Sequence, residues 1–213
     1  MQGSLRDIAP ADLKLIETMR WEPGRGVLRR DLHLERLMAG CDALGIARPD
    51  AGAIVDRVVA EVALRLRLTV DLSGEVEVTQ VPLGATAALW RVMVAPERLQ
   101  SDDPWLRLKT TERTRYDRVR ATLPPAIDEA IFLNERDELC EGTITNLFVE
   151  RDDGVLLTPP LSSGCLPGVL RRALMDDGLA QEAVLRSGDL AGRRFYMGNS
   201  LRGLIAGEIA APS

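Results

Sequence analysis

The chain predicts a mixed α/β protein of α+β character, built as two units. Three observations carry this. Stretches in which apolar residues alternate every second position are interspersed with stretches in which they recur every third or fourth. Between residues 95 and 104 the sequence turns polar, with Pro96, Pro104 and the Asp102-Asp103 pair. At 213 residues, 46% hydrophobic and 28% charged, the chain is long enough for one large domain or two small ones with substantial cores. The expected division is a small N-terminal α+β domain over 1–95, a linker over 96–104 and a larger α/β domain over 105–213.

Taken in order, residues 13–20 predict a strand, and Glu22-Pro23-Gly24-Arg25-Gly26 a turn. A short strand over Val27 to Arg30 completes the hairpin. Asp31 is placed to cap a helix whose apolar positions Leu34, Leu37, Met38, Cys41 and Leu44 keep helical spacing, and Gly45 ends it. Ile54, Val55, Val58, Val59 and Val62 predict a second helix from about Asp50 to Leu64. Strands follow at Leu66 to Val70, Glu75 to Val81 and Ala88 to Val94. Beyond the linker, strands are expected at Trp105–Lys109, Ala130–Asn134, Ile144–Glu150 and Val155–Thr158, the last two joined through Asp152-Asp153-Gly154. A helix runs from near Pro167 to about Asp177, and a strand over Arg194 to Gly198 precedes the terminal segment. There is no internal repeat and no low-complexity tract.

The net charge of −5, with adjacent arginines forming short pairs such as Arg29-Arg30, Arg171-Arg172 and Arg193-Arg194 and not runs, argues against broad nucleic-acid binding. No apolar run approaches membrane-spanning length, and the N-terminus lacks a signal-peptide core. Cys41, Cys140 and Cys165 have no metal-type spacing and form an odd set, which predicts reduced thiols in a cytoplasmic protein. The single histidine, His33, speaks against a His-rich metal site and against a hydrolase triad.

Only two of the 27 basic residues are lysines, and Lys109 stands in Leu108-Lys109-Thr110-Thr111-Glu112-Arg113, followed by Tyr116. A lysine amine can lose its proton, attack a carbonyl and form an imine, whereas arginine stays protonated. A solvated surface lysine would look the same from composition; the downstream sequence separates the two. Pyridoxal 5'-phosphate (PLP) needs three partners: a lysine for its aldehyde, an acid for its ring nitrogen and N–H donors for its phosphate. Glu141 opens Glu141-Gly142-Thr143-Ile144-Thr145-Asn146-Leu147-Phe148 where a turn gives way to a strand. Gly164-Cys165-Leu166-Pro167-Gly168-Val169-Leu170-Arg171 supplies a turn leading into a helix, with proline near its first position. Gly198-Asn199-Ser200 offers a second anion-binding element after a strand.

In this order the segments resemble the class IV aminotransferase family, the fold-type IV PLP enzymes with the two-domain D-amino acid aminotransferase-like architecture. Ile16-Glu17-Thr18-Met19-Arg20 resembles the family's first-strand motif and His33-Leu34-Glu35-Arg36-Leu37 its helix motif. Lys109-Thr110-Thr111 resembles the lysine segment of the 4-amino-4-deoxychorismate lyase branch. The stretch from Glu141 to Phe148 is similar to the family's most distinctive sequence. Leu166 to Arg171 and Gly198-Asn199-Ser200-Leu201-Arg202-Gly203 resemble its two phosphate loops. The resemblance implies that Lys109 bonds the cofactor and shuttles the proton, and that Glu141 pairs with the ring nitrogen. It further implies that Arg36, the amides of Val169 and Leu170, and Ser200 with Asn199 bind the phosphate.

Two departures stand out. Leu170 replaces the threonine usual in the family's aminotransferases, and Thr114 stands where a tyrosine commonly bonds the ring hydroxyl; Tyr116, two residues later, is carried over as the cofactor-binding candidate for that role. The chain is also shorter than typical relatives, which predicts a trimmed small domain. The implied activity is elimination of pyruvate from 4-amino-4-deoxychorismate to give 4-aminobenzoate, a step of folate synthesis. Transamination by a branched-chain or D-amino acid type enzyme is the alternative. A non-catalytic cofactor-binding relative is remote, since it would have no reason to keep Lys109, Glu141 and Arg36 together. Either substrate is a carboxylate-bearing amine, for which Arg20 and Arg202 are candidate binders; each could equally be a surface or core-edge ion pair. The resemblance also implies a homodimer.

Overall fold

The structure is a computed structural model, described here for residues 5–210. The chain divides into two compact units, one running through Ala85 and including Leu108–Glu112, the other comprising Thr86–Arg107 and Arg113 onward.

In the first unit β1 (Lys14–Glu22), β2 (Gly26–Val27), β3 (Leu64–Asp71) and β4 (Val76–Pro82) form an antiparallel sheet in the order β2-β1-β3-β4. The alternation of β3 sets its faces: Leu64, Leu66, Leu68 and Val70 are buried while Arg65 and Arg67 are exposed. Helix α1 (Arg30–Ala43) packs on β1 with His33, Leu37, Gly40 and Cys41 inward. A side chain at Gly40 would come within 2.8 Å of Leu15, so glycine sets that close approach.

The entry to α1 departs from expectation. Its N-cap is Arg29 in the left-handed region (φ 56°) with no side-chain cap bond, and β2 stops at Val27. Asp31 therefore lies inside the first turn, where its charge favours the helix N-terminus, and does not cap it. The exit follows expectation: Gly45 (φ 60°) ends the helix and its N–H donates to Asp42 O at 3.2 Å. Helix α2 is also shorter than predicted. Asp50 caps it through Ala53 N–H at 3.1 Å, but it spans only Ala51–Asp56. Val59 and Val62 beyond it are 87% and 55% exposed. Without a packed face, valines gain nothing from helix and lose side-chain freedom in it.

The expected strand at Trp105–Lys109 does not form. Pro104–Arg107 make a 3-10 turn, with Trp105 N–H donating to Asp103 Oδ1 at 3.0 Å. The chain then joins the first unit's sheet by an isolated bridge between Leu15 and Thr110. Ile16 N–H donates to Lys109 O, and Thr111 N–H to Lys14 O, each at 2.8 Å.

The second unit holds β5 (Leu89–Leu99), α3 (Thr114–Ala121), β6 (Glu129–Asn134), β7 (Leu139–Gly142), β8 (Asn146–Glu150), β9 (Leu156–Thr158), α4 (Val169–Asp176), β10 (Ala180–Glu182), β11 (Phe195–Asn199) and β12 (Gly203–Ile209). Strand β5 runs through half of the stretch read as a linker, its Leu99 fully buried despite the prolines and charges around it. The strand order is β10-β9-β8-β11-β12-β5-β6-β7, and β7 pairs back onto β8. Strands β8, β11, β12, β5, β6 and β7 therefore close into a ring, with β9 and β10 outside it. Ile131, Leu133, Leu147, Val149, Met197 and Ile205 gather with Trp90 and Val92 in one core. On the opposite faces, Phe132 and Cys140 pack with Val119 of α3, and Phe148 with residues of α4. Among the described residues, no helix is long and apolar enough to cross a membrane.

Candidate cofactor-binding and active-site residues

In the first unit the tight hydrogen bonds to β1 fix the backbone at Lys109. Beneath that edge lies a buried network that sequence reasoning did not assign. Glu17, on β1, is 1% exposed. Arg36 donates to it through Nε at 2.8 Å and Nη2 at 2.6 Å, and His33 Nδ1 lies 2.6 Å from Oε2. Burial would raise the Glu17 carboxyl, but Arg36 and His33 hold it down to about 2. For His33, burial and the nearby charges of Arg36 and Lys109 outweigh Glu17 and lower its pKa, so the ring is neutral near pH 7. The charges of Lys109 and Arg36 thus both act on His33. The signal for Glu17 was its register, a carboxylate on the same alternating strand face as Leu15, Met19 and Trp21, all of them buried. Lys14, the other lysine, is an exposed partner of Glu77 at 3.3 Å.

In the second unit Glu141 is 5% exposed and sits at the end of β7, not after a turn; the turn is Thr143–Thr145, leading into β8. Its Oε1 accepts Tyr116 O–H at 2.6 Å and its Oε2 accepts Leu166 N–H at 3.0 Å. Burial and the Glu141 charge push the Tyr116 hydroxyl well above its ordinary value, so it remains a donor. Tyr116 is packed edge-on against Phe132 at 5.2 Å, with Arg113 over its ring. The hairpin turn is pinned by Glu129, which accepts Ala130 N–H at 3.0 Å and Thr143 N–H, Thr145 O–H at 2.9 Å each, besides the Thr143 hydroxyl.

The two expected phosphate loops meet here as well. Asn146 Nδ2 donates to Leu166 O at 3.1 Å, and Gly198 packs so closely on Leu170 that an added Cβ would lie 3.0 Å from it. Val169 and Leu170 form the first turn of α4, whose N-cap, Gly168, supplies no side-chain cap. Asn199 shapes the other loop: its Oδ1 accepts Leu201 N–H at 3.1 Å and Arg202 N–H at 2.9 Å, and its Nδ2 donates to Ile144 O. Ser200 is buried in the same loop.

These residues fit PLP. Glu141 is a buried carboxylate, the kind of group that keeps a ring N–H protonated. The first turn of α4 presents N–H groups that no helical carbonyl can accept. The two arginines considered for the substrate carboxylate each have a partner within the chain. Arg20 is ion-paired with Glu22 at 2.7 Å, and Arg202 lies over the Trp90 ring at 6.0 Å.

Comparison with known proteins agrees with this chemistry. The model of the family described as amino-transferase class IV matches residues 14–207. Aminodeoxychorismate lyase of Saccharomyces cerevisiae is 32% identical over 139 residues, 56% of this chain; the match spans only 37% of the yeast relative's length. A candidate aminodeoxychorismate lyase of Schizosaccharomyces pombe is 26% identical over 83% of this chain and 82% of its own. A solved structure from Mesorhizobium loti, described as a candidate amino-acid aminotransferase, superposes with a TM-score of 0.88 at 42% identity, covering 93% of this chain and all of that one. The chain belongs to the class IV aminotransferases, a family of PLP-dependent enzymes with the fold-type IV architecture.

Proposed function

We propose that the protein is a PLP-dependent lyase that converts 4-amino-4-deoxychorismate into 4-aminobenzoate and pyruvate. The observation that carries the lyase outcome is its likeness to the two yeast proteins, both named for that activity. The two products contain every atom of the substrate, so no co-substrate is required. PLP, when bound, supplies an aldehyde carbon and an electron-accepting ring. Lys109 would hold the aldehyde carbon and would move the proton at the substrate carbon bearing nitrogen. Glu141 would keep a proton on the ring nitrogen, with Tyr116 orienting Glu141. Arg36, the amides of Val169 and Leu170, and Ser200 hold the phosphate. Arg20 and Arg202 are the candidates for the substrate carboxylates.

A second reading, amino-acid transamination, is favoured by the Mesorhizobium likeness. Its chemistry would use the same residues and part from the lyase after proton removal: no enolpyruvyl group is expelled, and the amino group passes to a 2-keto acid. The deciding experiment supplies enzymatically generated aminodeoxychorismate to PLP-loaded protein, with Lys109→Ala as control. Stoichiometric 4-aminobenzoate and pyruvate, absent in the control, are expected. A loaded protein that makes neither, yet transfers amino groups from an amino-acid panel to a 2-keto acid, would overturn the lyase in favour of the transaminase. A homodimer in the cytoplasm completes the proposal, and sedimentation checks the first part.

A further inference from the structure

We propose that Glu17 is a positioning residue for the cofactor phosphate: it holds the guanidinium of Arg36 by one edge, with His33 as a second brace on the carboxylate. The inference rests on the assignment of Arg36 to the phosphate.

His33 and Arg36 stand three residues apart on α1, so they share a helix face, and one carboxylate on β1 reaches both. The two N–H···O bonds from Nε and Nη2, at 2.8 and 2.6 Å, form the paired fork that fixes the plane of a guanidinium. The direction of the Nη1 donors is then set by β1, an interior strand paired on both edges, and not by the flexible arginine stem. A donor fixed in advance binds an anion without first losing conformational freedom. The carboxylate also solves the problem of a mostly buried arginine in protein without cofactor, since an unpaired buried cation is strongly disfavoured. His33 is neutral near pH 7 and braces Glu17 without adding a charge.

The test compares PLP with pyridoxal, which lacks the phosphate, by absorbance titration of the cofactor-free protein, with melting temperatures recorded for each variant. Arg36→Ala is expected to weaken PLP by about tenfold or more while leaving pyridoxal within about twofold. Glu17→Gln is expected to do the same, and Glu17→Asp, which keeps the charge but withdraws it by one methylene, to fall between. Glu17→Asp also carries the test if the glutamine variant does not fold. Equal weakening of both ligands by the Glu17 variants would make the residue merely structural and overturn the inference. So would unchanged discrimination in the Glu17 variants beside a clear loss in Arg36→Ala, with the arginine's role left standing. Unchanged discrimination in Arg36→Ala itself would remove the phosphate assignment, and the inference with it.

Discussion

Glu17 is a carboxylate with almost no access to water, kept ionised by Arg36 and His33. Its folded-state pKa of about 2 lies below the ordinary 4.5, so it contributes stability that is fully present above pH 4.5 and is lost as pH falls toward 2. The difference corresponds to roughly 3 kcal/mol for so buried a group. Urea unfolding of wild type and Glu17→Gln should therefore differ most at neutral pH, and the gap should shrink below about pH 4.5. A gap independent of pH would mean that the substitution acts through packing alone. The pairing also explains why Glu17 escaped sequence reasoning. Lys109 and Glu141 could be found one at a time, because each has a chemical role of its own. Glu17 acquires its role only when a helix residue 19 positions later packs against it. Tyr116 was found, but its partner was not: its hydroxyl donates to Glu141, a contact that its spacing from Lys109 gave no way to foresee.

Among elements, the β7–β8 hairpin places Glu141, and its tightest point is Gly142. A Cβ there would lie 2.8 Å from Met197 Cε and 2.9 Å from the carboxyl carbon of Glu129, besides striking the Thr145 hydroxyl. Glu129 is tied to the turn by several hydrogen bonds and cannot give way. Gly142→Ala should cost about 1–3 kcal/mol by overpacking and displace Glu141; thermal melting and the PLP dissociation constant would both register it. A variant that melts and binds PLP like wild type would show that the hairpin is looser than its contacts imply. The same scale separates what was legible from what was not. Strand β3 was readable because its alternation persists over eight residues. Strands β7 and β10, four and three residues long, are too short to display any period. In strand β12, which begins at Gly203, the apolar alternation is broken by Gly207, required by the Phe195 ring lying over it. Helix α2 was overextended because a run of valines fits both a helical face and an exposed loop.

For the whole molecule, the first unit is not contiguous in sequence, which a reading of consecutive residues cannot display. Residues 108–112 complete the edge of its sheet beside Lys14 to Ile16. A polypeptide ending at residue 85 would leave the N–H of Ile16 without its acceptor, Lys109 O. Hydrogen exchange should show that amide strongly protected in the full chain and at least about tenfold faster in the truncated one; equal protection would mean that the bridge contributes nothing to the sheet. The chain thus leaves one unit, returns to it for five residues, and leaves again. The return has a consequence for heredity. A single recombination breakpoint near residue 85 would join the Glu17–His33–Arg36 network of one ancestor to the Lys109 of another. Variants of this fold can trade their units cleanly only through three exchanges, after residues 85, 107 and 112, so the lysine and the residues around it should pass between lineages as one linked set.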